Sequence, residues 1–120
     1  MKTSELNGAA LDWAVAKAEG VEVQYDRMNK WFETQDLNYA EPNDPHVFAP
    51  TTYWAQGGPI IEREGIAIYL YGDGEWQAVL EKEYEGPTPL IASMRCYVAS
   101  KLGDEVEIPS ELLSPYDHRQ

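Results

Sequence analysis

Apolar residues recur at helical spacing near both ends of the chain, with alternating segments between them. Leu11, Ala14, Val15 and Ala18 fall on one face, with Trp13 flanking it. Asn7 before them suits an N-cap and Gly20 after them suits a C-terminal stop, so the pattern predicts a helix over 7–19. Val21 to Tyr25 alternates and predicts a strand. The segment 26–32 reads either as a turn and strand or as one helical turn. From Thr34 to Pro50, Pro42, Asn43, Asp44, Pro45 and Pro50 interrupt any regular element and predict a long loop.

The clearest hairpin follows. Ile66, Ile68 and Leu70 alternate with Ala67, Tyr69 and Tyr71, and Trp76, Ala78 and Leu80 alternate with Gln77, Val79 and Glu81. Gly72-Asp73-Gly74-Glu75 supplies the turn. A second helix is announced by Thr88 as cap and Pro89 at its first position. Leu90, Met94, Tyr97, Val98 and Lys101 lie along one side, and Gly103 stops it. Asp104 to Ile108 reads as a short strand and 109–113 as a final turn, with the last residues frayed. The expectation is one α+β domain over 1–120, a small antiparallel sheet with two helices packed on one face.

The charge balance narrows the function. The chain of 120 residues carries 21 Asp and Glu against 9 Lys and Arg, a net charge of −12. Direct nucleic-acid binding and anionic membrane surfaces are disfavoured, because phosphate contacts need clustered cations. The acidity reads either as solubility or as imitation of a nucleic acid toward a basic partner. One cysteine, Cys96, allows no internal disulfide, and no apolar run spans a bilayer or forms a secretory leader. A cytoplasmic setting is expected.

Metal and catalytic signatures are missing. His46, His118 and Cys96 are far apart and without ligand spacing, so neither metal nor cofactor is expected. Cys96 amid helical apolar positions reads as a buried thiol. Gly72-x-Gly74 lacks the third glycine of a dinucleotide fingerprint. No catalytic residue is assigned.

Two segments remain as candidate binding chemistry. In the first, Tyr53-Trp54-Ala55-Gln56-Gly57-Gly58-Pro59 leads into Ile60-Ile61-Glu62-Arg63, read as a tight turn and an extended stretch. Tyr53 or Trp54 would stack on a planar ligand. Gln56 and the backbone of Gly57 and Gly58 would donate hydrogen bonds, and Arg63 would neutralise charge. The same residues also read as core aromatics beside a turn. In the second, the helix start at Thr88 offers free amides, with Arg95 about two turns further on. Arg95 reads alternatively as a salt-bridge residue.

These two segments also carry a resemblance. Trp54-Ala55-Gln56-Gly57-Gly58-Pro59-Ile60-Ile61-Glu62-Arg63, followed by the run from Gly86-Pro87-Thr88-Pro89 to Gly103, resembles the phage NinX family. The start, Thr3-Ser4-Glu5-Leu6 with Ala9-Ala10-Leu11-Asp12-Trp13, and the ending Glu107-Ile108-Pro109 are similar to that family as well. Where the family has a serine after the proline before the tryptophan motif, this chain has Pro50-Thr51-Thr52. The resemblance implies a phage or prophage protein in a bacterial host cytoplasm and supplies no catalytic residue. The expected function is non-catalytic binding of a small anionic, nucleotide-like ligand, as an anti-defence sponge would do, with sites at the boundary of a homo-oligomer. An acidic inhibitor of a host nucleic-acid-binding protein is the alternative, and a small nucleotide-processing enzyme a further one.

Overall fold

A computed structural model describes residues 1–39 and 46–112. The part of the predicted loop around Pro42–Pro45 and the predicted frayed end beyond Leu112 lie outside the described residues. Among the described residues three α-helices and two antiparallel three-stranded sheets form the α+β architecture, in place of the expected two helices and one sheet.

The first helix, α1 (Gly8–Glu19), starts after Asn7, whose extended backbone suits a cap although its side chain makes no capping bond. It ends at Gly20, which is left-handed at φ 72°, a conformation that costs glycine nothing. The first sheet has the order β1 (Gln24–Asp26), β2 (Trp31–Glu33), β3 (Val47–Phe48). The ambiguous segment 26–32 is therefore a turn and a strand. Asp26 fixes that turn by accepting from the backbone amides of Met28 and Asn29 at 3.0 and 3.1 Å. The predicted long loop contributes β3 and a 3₁₀ turn at Leu37–Tyr39.

The segment expected to be a turn and a strand is instead a helix, α2 (Trp54–Glu64), with Pro59 inside it. Gln56, Gly57 and Ile60 form its buried side, the i, i+1, i+4 pattern of a helix. Pro59 removes the bond to the Ala55 carbonyl. Both residues are exposed, so water can satisfy that oxygen. Helical packing of Ile60 and Gln56 outweighs the breaker.

The predicted hairpin forms as β4 (Ala67–Tyr71) and β5 (Glu75–Val79), with Ile68 opposite Ala78 and Leu70 opposite Trp76. A third strand, β6 (Glu83–Gly86), pairs on the far side of β5, giving the order β4-β5-β6. Helix α3 (Pro89–Leu102) packs beneath β5 and β6, and α1 and α2 pack against α3. The core lies between these layers and includes Leu6, Leu11, Val15, Phe48, Ile60, Met94, Tyr97 and Val98. The segment after α3 forms one bridge, Glu105 opposite Lys2, rather than a full strand. It still ties the two ends together: Thr3 donates its amide to the Asp104 carbonyl at 2.8 Å and its hydroxyl to the Gly103 carbonyl at 2.7 Å. Among the described residues no helix is long and apolar enough to cross a membrane.

Candidate functional site

The Trp54–Arg63 segment answers its own polar groups. Gln56 is buried. Its amide oxygen accepts from the Ala49 amide at 2.7 Å, and its nitrogen donates to the carbonyls of Tyr39 and Val47 at 2.6 and 2.7 Å. Both amide protons and the oxygen are engaged, so the side chain expected to face a ligand instead ties α2 to β3 and the preceding turn. Gly57 serves close approach, but to the chain itself: a Cβ there would lie 2.5 Å from the Pro50 oxygen and 2.6 Å from Leu90 Cδ2. Gly58 is half-buried beside the Trp54 ring. Tyr53 sits at the N-cap position of α2, where its carbonyl accepts from the amides of Gln56 and Gly57. Trp54 is 54% exposed on the first turn.

Arg63, expected as the charged anchor, closes a cluster around Glu19. Its guanidinium donates to both Glu19 oxygens and, at 3.2 Å, to the Tyr97 hydroxyl, while its Nε donates to Glu64 at 2.8 Å. The hydroxyls of Tyr39 and Tyr97 also donate to Glu19. Burial alone would raise the Glu19 pKa, but the bonds from Arg63, Tyr39 and Tyr97 together bring it below its ordinary value. The same bonds, added to burial, push both tyrosines upward. This cluster joins α1, α2, α3 and the Leu37–Tyr39 turn.

The second candidate segment divides. Thr88 caps its own helix, accepting from the Ile91 amide at 3.1 Å. Arg95 is different. Its Nε donates to the Leu6 carbonyl at 2.7 Å and its Nη1 to the Glu85 carbonyl at 2.6 Å. Among the described residues no carboxylate lies within ion-pair distance of it, whereas Arg27, Arg63, Lys82 and Lys101 are each paired. Burial lowers its pKa and Glu75 opposes that.

Arg95 opens into a cleft of about 860 Å³ at the edge of β6. Lys2, Lys82 and Arg95 line it together with five carboxylates, those of Glu75, Glu83, Glu85, Asp104 and Glu105. Asp104 is held by Lys82 at 3.1 Å and by the Tyr84 hydroxyl at 3.0 Å, which lower its pKa. The other four carboxylates have no cation within ion-pair distance among the described residues. Glu83 and Glu85 point to one face of the sheet with Gln77, Tyr69, Tyr71 and Glu75, as the register requires. Tyr69 donates to Gln77 and, at 2.9 Å, to Glu83. α3 covers the opposite face, where a Cβ on Gly86 would lie 2.6 Å from the Ala92 amide nitrogen.

Two smaller clefts, of about 210 and 300 Å³, lie beside Cys96 and along the Glu33–Asp36 turn. None of the three is lined by Trp54 or Arg63. Cys96 is buried, its thiol pKa raised to about 11 by desolvation. Among the described residues no three His, Cys, Asp or Glu side chains converge as a metal site would require. The cleft carboxylates escaped sequence reading, yet a signal existed. Alternate residues of Glu83-Tyr84-Glu85 and Glu75-Trp76-Gln77 are polar, which sets them on one sheet face.

Fold and cleft together define a small acidic α+β protein with a cleft of mixed charge along one sheet edge. A family model described as Bacteriophage P22, NinX matches residues 2–101, and the chain belongs to that family. Membership makes it a phage accessory protein. No curated protein matches the chain.

Proposed function

We propose that the protein acts by docking a cationic surface of a host protein, one that ordinarily binds nucleic acid, against the β6 cleft and the uncovered face of β4-β5-β6. The carrying observation is the set of four carboxylates, Glu75, Glu83, Glu85 and Glu105, that line the β6 cleft with no cation within ion-pair distance among the described residues. A strand rise of about 3.4 Å spaces Glu83 and Glu85 some 7 Å apart on one face. Unpaired carboxylates in a shallow cleft stay hydrated at little cost and gain when arginine or lysine side chains arrive. Tyr69 and Tyr71 beside them offer ring surface to the same cations. The net charge of −12 adds long-range attraction to a basic partner.

Capture from host lysate tests this reading. Immobilised wild type should retain basic proteins at about 50 mM salt and release them near 0.5 M, as screening shortens the reach of exposed charge. The doubly reversed variant Glu83→Lys/Glu85→Lys should retain none of them. Equal retention by that variant, or retention indifferent to salt, overturns the proposal.

A second reading rests on Arg95. A guanidinium held by two carbonyls and facing a cleft, with no carboxylate within ion-pair distance among the described residues, is oriented for a small anion. A nucleotide-like ligand would set its phosphate there and its base amino groups on the surrounding carboxylates. Thermal shift with cyclic nucleotides and ADP-ribose derivatives tests it, because a ligand of the native state raises the midpoint in proportion to its affinity. No shift with any of them contradicts it.

A further inference from the structure

We infer that β4 is a self-pairing edge and that two copies join through it into one six-stranded antiparallel sheet. The two edges of the β4-β5-β6 sheet are built differently. The β6 edge is protected: it carries Glu83 and Glu85, Pro87 follows it, and Arg95 occupies the Glu85 carbonyl. Such charges, prolines and covered carbonyls are what keep an edge from pairing. The β4 edge has none of these. Ala67-Ile68-Tyr69-Leu70-Tyr71 is uncharged, and among the described residues its backbone bonds only to β5.

Its side chains are exposed on both faces except for Ile68, which is half-buried against the core. Tyr69 and Tyr71, 42% and 52% exposed, stand on the outer face, and Leu70, 57% exposed, stands on the inner face. An antiparallel pairing centred on Tyr69 overlaps all five residues. It sets Ile68 against the second copy's Leu70 on the inner face and Ala67 against Tyr71 on the outer face, small against large. Cross-strand pairs of this kind stabilise a sheet.

Charge selects a second copy as the occupant and a two-fold axis as the arrangement. For a chain of −12, most surfaces bring like charges together on self-association. β4 to β4 does not. With strands about 4.8 Å apart, the two acidic β6 strands stand at the outer edges, roughly 24 Å from each other. With a rise of about 3.4 Å per residue, the Asp73 turns lie at opposite ends, some 27 Å apart. Both separations exceed a Debye length of about 8 Å. A parallel pairing would set the acidic turns side by side. This inference stands apart from the docking proposal, since the β6 cleft stays open in either state.

Sedimentation velocity across about 1 to 100 μM tests it, a range suited to an interface smaller than a standard one. Wild type should move from 13.6 kDa toward twice that mass as concentration rises. Leu70→Lys should weaken association at least tenfold with unchanged far-UV circular dichroism. Tyr69→Cys provides a second readout that does not depend on affinity: residues facing across the axis have Cβ atoms about 5 Å apart, so mild oxidation should yield a disulfide-linked dimer. Monomer throughout for wild type, or a dimer that Leu70→Lys leaves intact, overturns the inference. So does a Tyr69→Cys protein that stays monomeric after oxidation.

Discussion

The Glu19–Gln56 region and the β6 cleft are both rich in polar side chains, and they treat them in opposite ways. Around Glu19 and Gln56 each carboxylate oxygen and amide proton meets a partner inside the chain. In the cleft, four carboxylates and the Arg95 charge have no opposite charge within ion-pair distance among the described residues, although Glu75 is near enough to act on Arg95. A saturated polar group holds structure, because any ligand must first displace an existing bond. A partly satisfied one at the surface keeps capacity for a visitor: Glu83 and Glu85 each accept one side-chain bond, from Tyr69 and Gln77, and have an oxygen to spare. The comparison moves the functional reading from the tryptophan motif to the sheet edge.

The sharpest way to break the comparison is to unsaturate the first region. Gln56→Leu would leave the Ala49 amide and the Tyr39 and Val47 carbonyls without the partner they have now. Buried groups orphaned this way cost about 1–3 kcal/mol each, so a loss of about 3 kcal/mol is expected in urea denaturation. Gly57→Ala should cost somewhat less, about 2 kcal/mol, as overpacking does, because the new methyl would meet the Pro50 carbonyl and Leu90. A neutral result for either would mean that α2 is not anchored as described.

Asp12 extends the comparison to pH. It is buried in α1, accepts from the Thr51 amide at 3.0 Å, and burial raises its pKa to about 7. Its folded-state pKa lies above the ordinary 3.8, so folding takes up a proton between those values. Its contribution to stability therefore declines as pH rises from about 4 to about 7 and is flat above. Glu19 has the opposite sign: its lowered pKa gives stability that is lost only as pH falls below the ordinary 4.5. Melting temperature should fall for wild type between pH 5 and 8, and Asp12→Asn should flatten that slope. An unchanged slope would assign the pH response elsewhere. The smallest effect on stability, within about 0.5 kcal/mol, is expected for Glu83→Lys/Glu85→Lys, as for exposed substitutions in general.

Much of the fold was legible because its signals are local. Thr88, Pro89 and Gly103 bound α3 as expected, and the alternation of Ile68, Leu70, Trp76 and Ala78 around the Gly72–Glu75 turn located the hairpin. α2 was misread because Gly57-Gly58-Pro59 is strong turn punctuation. The helical spacing of Gln56, Gly57 and Ile60 is weaker evidence until Pro50 and Leu90 are seen to close on Gly57. The first sheet was half hidden, since β3 is two residues inside a proline-rich stretch. The site was hidden for another reason. In a chain with 21 acids, which of them lack a cation depends on where nine basic residues come to rest, and only the tertiary structure decides that.

The most direct test of the sheet edge as the working surface is a two-dimensional NMR titration with a short lysine- and arginine-rich peptide. The account predicts saturable, salt-sensitive shifts in the amides of Gln77, Glu83, Glu85 and Glu105, with those of α2 unmoved. Shifts gathered instead around Trp54 and Arg63, or none at any peptide concentration, would contradict it.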